Sequence, residues 1–443
     1  MGYEKEILKY AEKVMPMCVE HDTVSDELFK EYGVYRGLRD QNGKGVLTGL
    51  TNISKIVSFK DVNGERVPCD GELWYRGYRV ESLIEETRNC FGFERTAYLL
   101  LFGRKPSEEE LAEFCRILAS ARTLPTNFTR DVIMKAPTKD IMNSMTRSIL
   151  TLSSYDKALN SADLENSIRQ CIQLISTFPM LAVYGYHAYN HYENDESMYI
   201  HRPSRKLSTA ENLLSMLRAD KKYTEIEAKV LDVALMLHME HGGGNNSTFT
   251  TRVVTSSGSD TYSAMAAAMS SLKGPRHGGA NIKVMEMIED IRRNVKDTDD
   301  QDELCDYLTK MLDGEVFDKK GLIYGMGHAV YSLSDPRERI FKGFVEKLAE
   351  SKGKDKDMRL YNSIETIAPQ IIAKKRKIFK GVSPNVDFYS GFVYEMLGIP
   401  SELFTPLFAI ARIVGWSAHR IEEIIGMGKI IRPAYLSVME EKE

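Results

Sequence analysis

The stretch Val230-Leu-Asp-Val-Ala-Leu-Met-Leu-His-Met-Glu-His-Gly-Gly-Gly-Asn245 decides the fold class of this chain. Its first half is almost entirely apolar and predicts a buried helix that ends near His238. The glycines at 242–244 then break the helix and free the backbone to approach a ligand. His238 and His241 are therefore candidate acids or ligand-polarising groups. The alternative is a helix C-cap histidine that contacts the last carbonyls.

The rest of the chain supports a mainly α-helical fold. Apolar residues recur at helical spacing from residue 80 onward, for example over 210–217, 224–238, 261–272 and 279–292. An amphipathic helix is also predicted over 4–15. Residues 46–78 differ, because β-type runs flank an Asn63-Gly64 turn, and they predict a small sheet or hairpin near the N-terminus.

Length and composition favour an ordinary globular protein of two domains. The chain has 443 residues, 43% of them hydrophobic and 28% charged. The net charge of −4 gives no general attraction to nucleic acid or to an anionic membrane. The six cysteines are scattered, which argues against a zinc site or a disulfide framework and favours the cytoplasm. We expect neither a signal peptide nor a membrane span.

A second polar cluster follows in Gly325-Met-Gly-His-Ala-Val-Tyr331, with Arg337 shortly after it. Gly325 and Gly327 expose backbone N–H groups that suit a phosphate or an adenine edge. The planar fork of Arg337 suits a carboxylate, although a surface arginine is the simpler interpretation of that residue alone.

The third cluster is Pro384-Asn-Val-Asp-Phe-Tyr-Ser-Gly391. Asp387 precedes an apolar helical run, so it is either a helix N-cap or a carboxylate base whose basicity burial raises, and these roles are compatible. Arg412 lies within the apolar helix 408–416, and a buried arginine requires an anion. That anion is either a bound carboxylate or an acidic side chain.

Other polar residues have weaker claims to chemistry. His277 lies in a glycine-rich stretch and is expected to begin a helix. The basic run 374–377 with Lys380 suits a phosphate or a solvated helix face, and nucleic acid is not favoured. His238 and His241 lack a third ligand at a suitable spacing, so we expect no metal.

Taken together, the ordered motifs resemble the citrate synthase family from end to end. The resemblance rests on motifs spread over the chain: Arg36-Gly-Leu, Tyr75-Arg-Gly-Tyr, Asn246-Ser-Thr-Phe, Lys273-Gly-Pro-Arg-His-Gly-Gly-Ala-Asn, Gly325-Met-Gly-His-Ala-Val-Tyr, Asn385-Val-Asp-Phe-Tyr-Ser-Gly and Ala409-Ile-Ala-Arg-Ile-Val-Gly-Trp. It implies a helical homodimer whose large domain covers 1–242 and 399–443 and whose small domain, 243–398, closes over the substrate.

The resemblance also implies a reaction and its residues. The family condenses acetyl-CoA with oxaloacetate and hydrolyses citryl-CoA to citrate and CoA, with no permanent cofactor. Asp387 resembles the base, His241 the donor to the thioester oxygen, and His328 the acid at the oxaloacetate carbonyl. Oxaloacetate would be held by His238, Arg337, Arg412 and, across the dimer, Arg432. The CoA contacts carried over are Arg36, Leu322, Ile323, Gly325, Gly327, Lys380 and Asn385.

One departure from the family leaves a question open. Glu211 stands where some members have a histidine that contacts oxaloacetate, and His201 or His238 is the candidate replacement. His241 is also followed by Gly242, where many relatives have glutamate. The alternatives to citrate synthase are 2-methylcitrate synthase, which uses propionyl-CoA, and a non-catalytic CoA-binding helical protein.

Overall fold

The computed structural model of the protein describes residues 2–34, 36–38, 45–159, 163–327, 330–331, 333–376, 381–426 and 428–439. The chain forms two compact units, Met1–Leu50 and Thr51–Glu443. The first unit contains helix α1 (Gly2–Asp22), helix α2 (Asp26–Glu31) and a 3₁₀ turn (Arg36–Leu38). The helix predicted over 4–15 is therefore confirmed as part of α1.

The second unit begins with a small antiparallel sheet. Its strands are β1 (Ser54–Val62), β2 (Glu65–Tyr75) and β3 (Tyr78–Arg79), in the order β1-β2-β3. Asn63 and Gly64 form the two-residue turn between β1 and β2, with φ angles of 56° and 85°. Positive φ at both positions matches the twist of a hairpin, which explains the Asn-Gly pair.

The sheet is shorter at its N-terminal side than the sequence predicts. Residues 46–48 were expected to be β-type but form no regular structure, so this part of the prediction was wrong. Leu47 is 84% exposed, and the run therefore lacks the buried apolar face that stabilises a strand.

The remainder of the second unit is helical, as predicted. Its helices are α3 (Val80–Glu86), α4 (Phe93–Phe102), α5 (Glu108–Ala121), α6 (Ile141–Ser153), α7 (Leu164–Glu193), α8 (Thr209–Leu217), α9 (Glu225–His238), α10 (Asn246–Ser256), α11 (Thr261–Lys273), α12 (Ala280–Asn294), α13 (Gln301–Leu312), α14 (Pro336–Lys352), α15 (Asp355–Arg376), α16 (Val386–Met396) and α17 (Phe404–Gly426).

Helix starts follow local capping chemistry. Ser107, Ser208 and Thr224 each accept a hydrogen bond from the third helical residue, whose glutamate side chain returns a bond to the cap. These reciprocal bonds satisfy backbone groups that a helix end leaves without partners. The cap predicted at Ser107 is confirmed.

Helix α17 is central to the core and positions the candidate site. It packs against α7, α10, α4 and α9, and its middle turns are wholly buried. Helix α14 packs against both α9 and α16. The end of α9, the starts of α14 and α16, and the middle of α17 are therefore brought together. Across the described ranges, no helix has the length and apolar character needed to cross a bilayer.

Candidate active site

His238 is the last residue of α9 and is almost completely buried. Its ring packs on Phe408 of α17, with ring centroids 4.5 Å apart. Within the described structure neither ring nitrogen has a hydrogen-bond partner. Burial, with the positive charges of Arg337 and Arg412, holds the pKa of His238 well below its usual range. His238 is thus a neutral imidazole, and it does not cap the helix with its side chain.

Arg412 projects from α17 towards the same helix end. Its Nε donates to the carbonyl oxygen of His238 over 2.7 Å, and its guanidinium carbon lies 4.7 Å from the centroid of the Phe408 ring. The side chain is buried, yet no described carboxylate forms an ion pair with it. Of the two anions that the sequence left open, an acidic side chain in direct contact is therefore absent from the described residues.

Arg337 lies at the start of α14 and is held by Asp335. Its Nε and Nη2 donate to the two carboxylate oxygens of Asp335 over 3.0 and 2.7 Å. The same carboxylate accepts from the Arg337 backbone and so caps the helix. Burial lowers the pKa of Arg337, but Asp335 outweighs it and the net direction is upward. This bidentate pair fixes the guanidinium in one orientation.

Tyr331 connects His241 to Arg337. The rings of His241 and Tyr331 meet edge to face with centroids 5.4 Å apart, and the guanidinium carbon of Arg337 lies 6.0 Å from the Tyr331 ring centroid. His241 is 8% exposed and Tyr331 is 2% exposed. The two predicted functional residues thus share one buried aromatic wall.

Asp387 is the second residue of α16, and its side chain is half-buried. Burial raises its pKa to about 6, while Arg337 lowers it and Asp335 raises it. The N-cap interpretation of Asp387 was wrong. Asn385 is the cap, because its side-chain oxygen accepts from the Asp387 backbone over 3.0 Å. The Asp387 carboxylate therefore does not cap the start of α16.

Asn385 also joins the two predicted CoA segments. Its side-chain nitrogen donates to Gly327 O over 2.8 Å and its backbone N–H donates to Gly325 O over 2.9 Å. Gly325 has a φ of 79°, and an added Cβ would lie 2.9 Å from Phe388 and Val284. Glycine is therefore required there on two grounds, conformation and space.

Other predicted residues are less closely tied to this cluster. Ile323 is buried and Leu322 is 38% exposed. Arg36 lies in the first unit, where it pairs with Asp26 over 3.0 Å. Arg432 is exposed in the irregular segment 428–439. His328 and Lys380 lie outside the residues that the structure describes.

The residues whose roles the sequence left undecided make hydrogen bonds within the protein. Glu211 belongs to the capping box of α8 and accepts from the Tyr223 hydroxyl over 3.2 Å. The His201 ring contacts the Ala219 carbonyl over 3.1 Å. His277 bonds to Ser247, and burial lowers its pKa to about 4. His277 precedes α12, as expected for a helix entry.

The basic run 374–377 makes local contacts where it is described. Lys375 forms an ion pair with Asp313, and Arg376 donates to Gly321 O over 2.5 Å. Groups of histidine, cysteine and acidic side chains suited to a metal were not found in the parts of the chain that the structure describes.

Two charged residues of the cluster were missed by sequence reasoning. Asp335 had no predicted role, although an aspartate directly before a proline at a helix start is a recognisable cap. Glu240 lies between the two histidines and is wholly buried. An acidic residue directly after an apolar helix was the feature of the sequence that could have identified it.

Comparison with known proteins gives matches over most of the chain. The sequence model of the family described as "Citrate synthase, C-terminal domain" matches residues 40–434. The citrate synthase of Synechocystis sp. is 36% identical over 373 residues, which cover 83% of this chain and 85% of the relative. The 2-methylcitrate synthase of Shewanella oneidensis is 33% identical over 372 residues, covering 84% and 90%.

A solved structure agrees with these relatives. It is the ternary complex of carboxymethyl coenzyme A and oxaloacetate with citrate synthase from Thermoplasma acidophilum, with a TM-score of 0.74 and 26% identity, and the match covers 90% of this chain and 96% of that one. Fold and sequence together define a mainly helical transferase. The chain belongs to the citrate synthase family.

Proposed function

We propose that this protein condenses acetyl-CoA with oxaloacetate and hydrolyses the resulting citryl-CoA to citrate and CoA. The observation that carries the proposal is Arg412, a buried guanidinium that has no ion pair with a described carboxylate. A buried guanidinium that no carboxylate contacts gains a direct ion pair when a dicarboxylate binds.

Oxaloacetate would lie between Arg337 and Arg412, with Arg432 of the partner subunit as a third cation. Asp335 supports this role for Arg337, because it fixes the guanidinium before the substrate arrives. His238, rather than His201, is the proposed additional contact, since its neutral ring is buried beside Arg412. Glu211 is not a substitute for that histidine, because its carboxylate caps α8.

Asp387 would remove a methyl proton from acetyl-CoA. A pKa of about 6 supports this role, since such a carboxylate is ionised near neutral pH and yet more basic than usual. His241 would donate to the thioester oxygen as the enol forms. The enol carbon then attacks the oxaloacetate carbonyl, His328 protonates the new alkoxide, and water cleaves the thioester. Donors placed at the developing charge lower the barrier most.

The CoA moiety would lie along Leu322, Ile323, Gly325 and Gly327, with Asn385 holding this segment. Arg36 and Lys380 are proposed contacts for its phosphates. The support is the pairing of residues 325–327 with 383–385, which leaves the glycine backbone ordered beside α16.

The wider setting follows the family. We propose a cytoplasmic homodimer in the tricarboxylic acid cycle, in which the small domain, 243–398, closes over the large domain, 1–242 and 399–443. No permanent cofactor, metal, membrane or nucleic acid takes part. The free state of all six cysteines is consistent with a reducing compartment. Closure would exclude water until condensation is complete.

The test is thiol release from acetyl-CoA in the presence of oxaloacetate, measured with the wild type and with Asp387→Asn. We expect oxaloacetate-dependent release that Asp387→Asn lowers by about 100- to 10,000-fold. Folded wild-type protein that releases no thiol from either acetyl-CoA or propionyl-CoA would contradict the proposal and favour a non-catalytic CoA-binding role.

2-Methylcitrate synthase is the second candidate, because a relative of that name matches about as well as the citrate synthases. The same assay with propionyl-CoA separates the two activities. One additional methylene changes binding by only about 1–3 kcal/mol, so the ratio of kcat/KM values decides between them.

A further inference from the structure

Glu240 is a buried carboxylate with no assigned role. It lies two residues after His238 and one before His241, and its side chain is 0% exposed. Oε1 accepts from the Ser54 hydroxyl over 2.9 Å and contacts His419 Nε2 over 3.1 Å. Oε2 is buried and has no hydrogen-bond partner in the described structure. A carboxylate in this setting is costly unless a positive charge lies near it.

The tautomer of His419 follows from its second contact. Arg252 Nη1 lies 3.0 Å from His419 Nδ1, and because arginine only donates, Nδ1 is the acceptor. The ring proton is therefore on Nε2, where it faces Glu240. This hydrogen bond holds the Glu240 carboxylate in place. A ring with its one proton on Nε2 adds no positive charge, however, so the carboxylate still needs one from another residue.

Arg412, one turn before Gly415 on α17, supplies a positive charge that Glu240 feels. Glu240 Oε2 lies against α17 at Gly415, one turn beyond Arg412, since a Cβ added to Gly415 would be 2.4 Å from this oxygen. Burial lowers the pKa of Arg412 to about 10, and Glu240 is the carboxylate that raises it most, ahead of Asp387. Reciprocally, burial raises the pKa of Glu240, but His419 and, after it, Arg412 lower it, and the net direction is downward.

We infer that Glu240 is the resident counter-charge of Arg412, a positioning residue that balances the guanidinium between catalytic cycles and thereby limits how tightly the dicarboxylate binds. The inference rests on the proposed binding of oxaloacetate by Arg412. A negative charge coupled to the guanidinium stabilises the empty site and opposes the arriving dianion. Both effects assist release of an anionic product.

The first test is oxaloacetate binding without acyl-CoA, measured by calorimetry. Glu240→Gln keeps the shape and the acceptor for Ser54 and His419 but removes the charge. We expect it to bind oxaloacetate about tenfold more tightly than the wild type, as expected for one charge removed at this range. Glu240→Asp, which keeps the charge, should bind within about twofold of the wild type. Loss of a merely structural residue would instead weaken binding.

Glu422→Gln is the matched control. Glu422 belongs to the same network, through Arg252 at 2.8 Å, but it lies on the far side of His419. We expect its affinity for oxaloacetate to equal that of the wild type. An equal shift in Glu422→Gln, or unchanged or weaker binding in Glu240→Gln, would overturn the inference.

A stability cycle tests the counter-charge independently of the proposed function. Glu240→Gln should lower the melting temperature of the otherwise wild-type protein and raise it in an Arg412→Met background, where the carboxylate has lost its partner. If Glu240→Gln alone does not fold, folding of the double variant supports the inference, and its failure refutes it. Wild-type protein that does not bind oxaloacetate would refute the proposed function. The opposite changes in melting temperature that Glu240→Gln causes in the two backgrounds would still decide whether Glu240 and Arg412 are paired.

Discussion

Asp387→Asn should make the protein more stable at pH 8 while it strongly lowers the proposed activity. The pKa of this carboxyl rises from its ordinary value of 3.8 to about 6 on folding, with burial as the largest cause. Folding therefore favours the protonated form. The ionised form lowers stability at pH values above 6, and this penalty disappears as the pH falls towards 3.8.

The magnitude follows from the size of the shift. Each pKa unit corresponds to about 1.4 kcal/mol, so the full rise is worth about 3 kcal/mol. The side chain is half-buried and solvent screens part of this energy, so we expect about 2 kcal/mol. Asparagine resembles the neutral acid in shape. The variant should gain this amount at pH 8 and almost nothing at pH 4.

The assay is urea denaturation of both proteins at pH 8, 6 and 4, followed by the midpoint and slope. Asp306→Asn removes an exposed carboxylate of α13 and is the matched control, with no change expected in the midpoint. A variant that is less stable than the wild type at pH 8, or a difference that does not vary with pH, would refute the reasoning about burial.

Three further predictions concern neighbouring helices. Gly415→Ala places a Cβ 2.4 Å from Glu240 Oε2, and we expect a loss of about 1–3 kcal/mol by urea denaturation, whereas Gly343→Ala, with open space around it, should not destabilise. Arg412→Met should be less stable than the wild type, because Glu240 loses its counter-charge, and should bind oxaloacetate about 100-fold more weakly by calorimetry; tight binding would exclude Arg412 as a ligand. Burial raises the pKa of Glu338 to about 8, so stability should fall as the pH rises from 4.5 through 8, and Glu338→Gln should flatten that profile in thermal melts.

Local signals in the sequence predicted much of the fold. The apolar run before His238 predicted the end of α9 at the observed residue, and Asn63-Gly64 predicted the hairpin turn. Ser107 predicted a helix start. These features succeed because each depends on residues only a few positions apart. The run 46–48 failed because strand formation also requires burial of one face, which local sequence does not report.

The candidate site was predictable in its composition but not in its pairings. A buried Arg412 implied an anion, and no described carboxylate forms a direct ion pair with it. The cap of α16 was misassigned because Asn385 and Asp387 both have suitable side chains, and only backbone geometry separates them. The Glu240–His419 contact joins residues 179 positions apart, so no local pattern predicts it.

The cluster is built from groups that each oppose folding. The ring nitrogens of His238 are buried without hydrogen-bond partners in the described structure, burial raises the pKa of Asp387, and Arg412 forms no ion pair with a described carboxylate. A structure selected for stability alone would replace them with apolar side chains. The extensive apolar packing of α17 against α7 offsets this cost and holds the unpaired groups rigid. A dianion that paired with Arg412 and accepted a hydrogen bond from His238 would relieve the penalties of these two groups, which is the physical basis for expecting a dicarboxylate at this position.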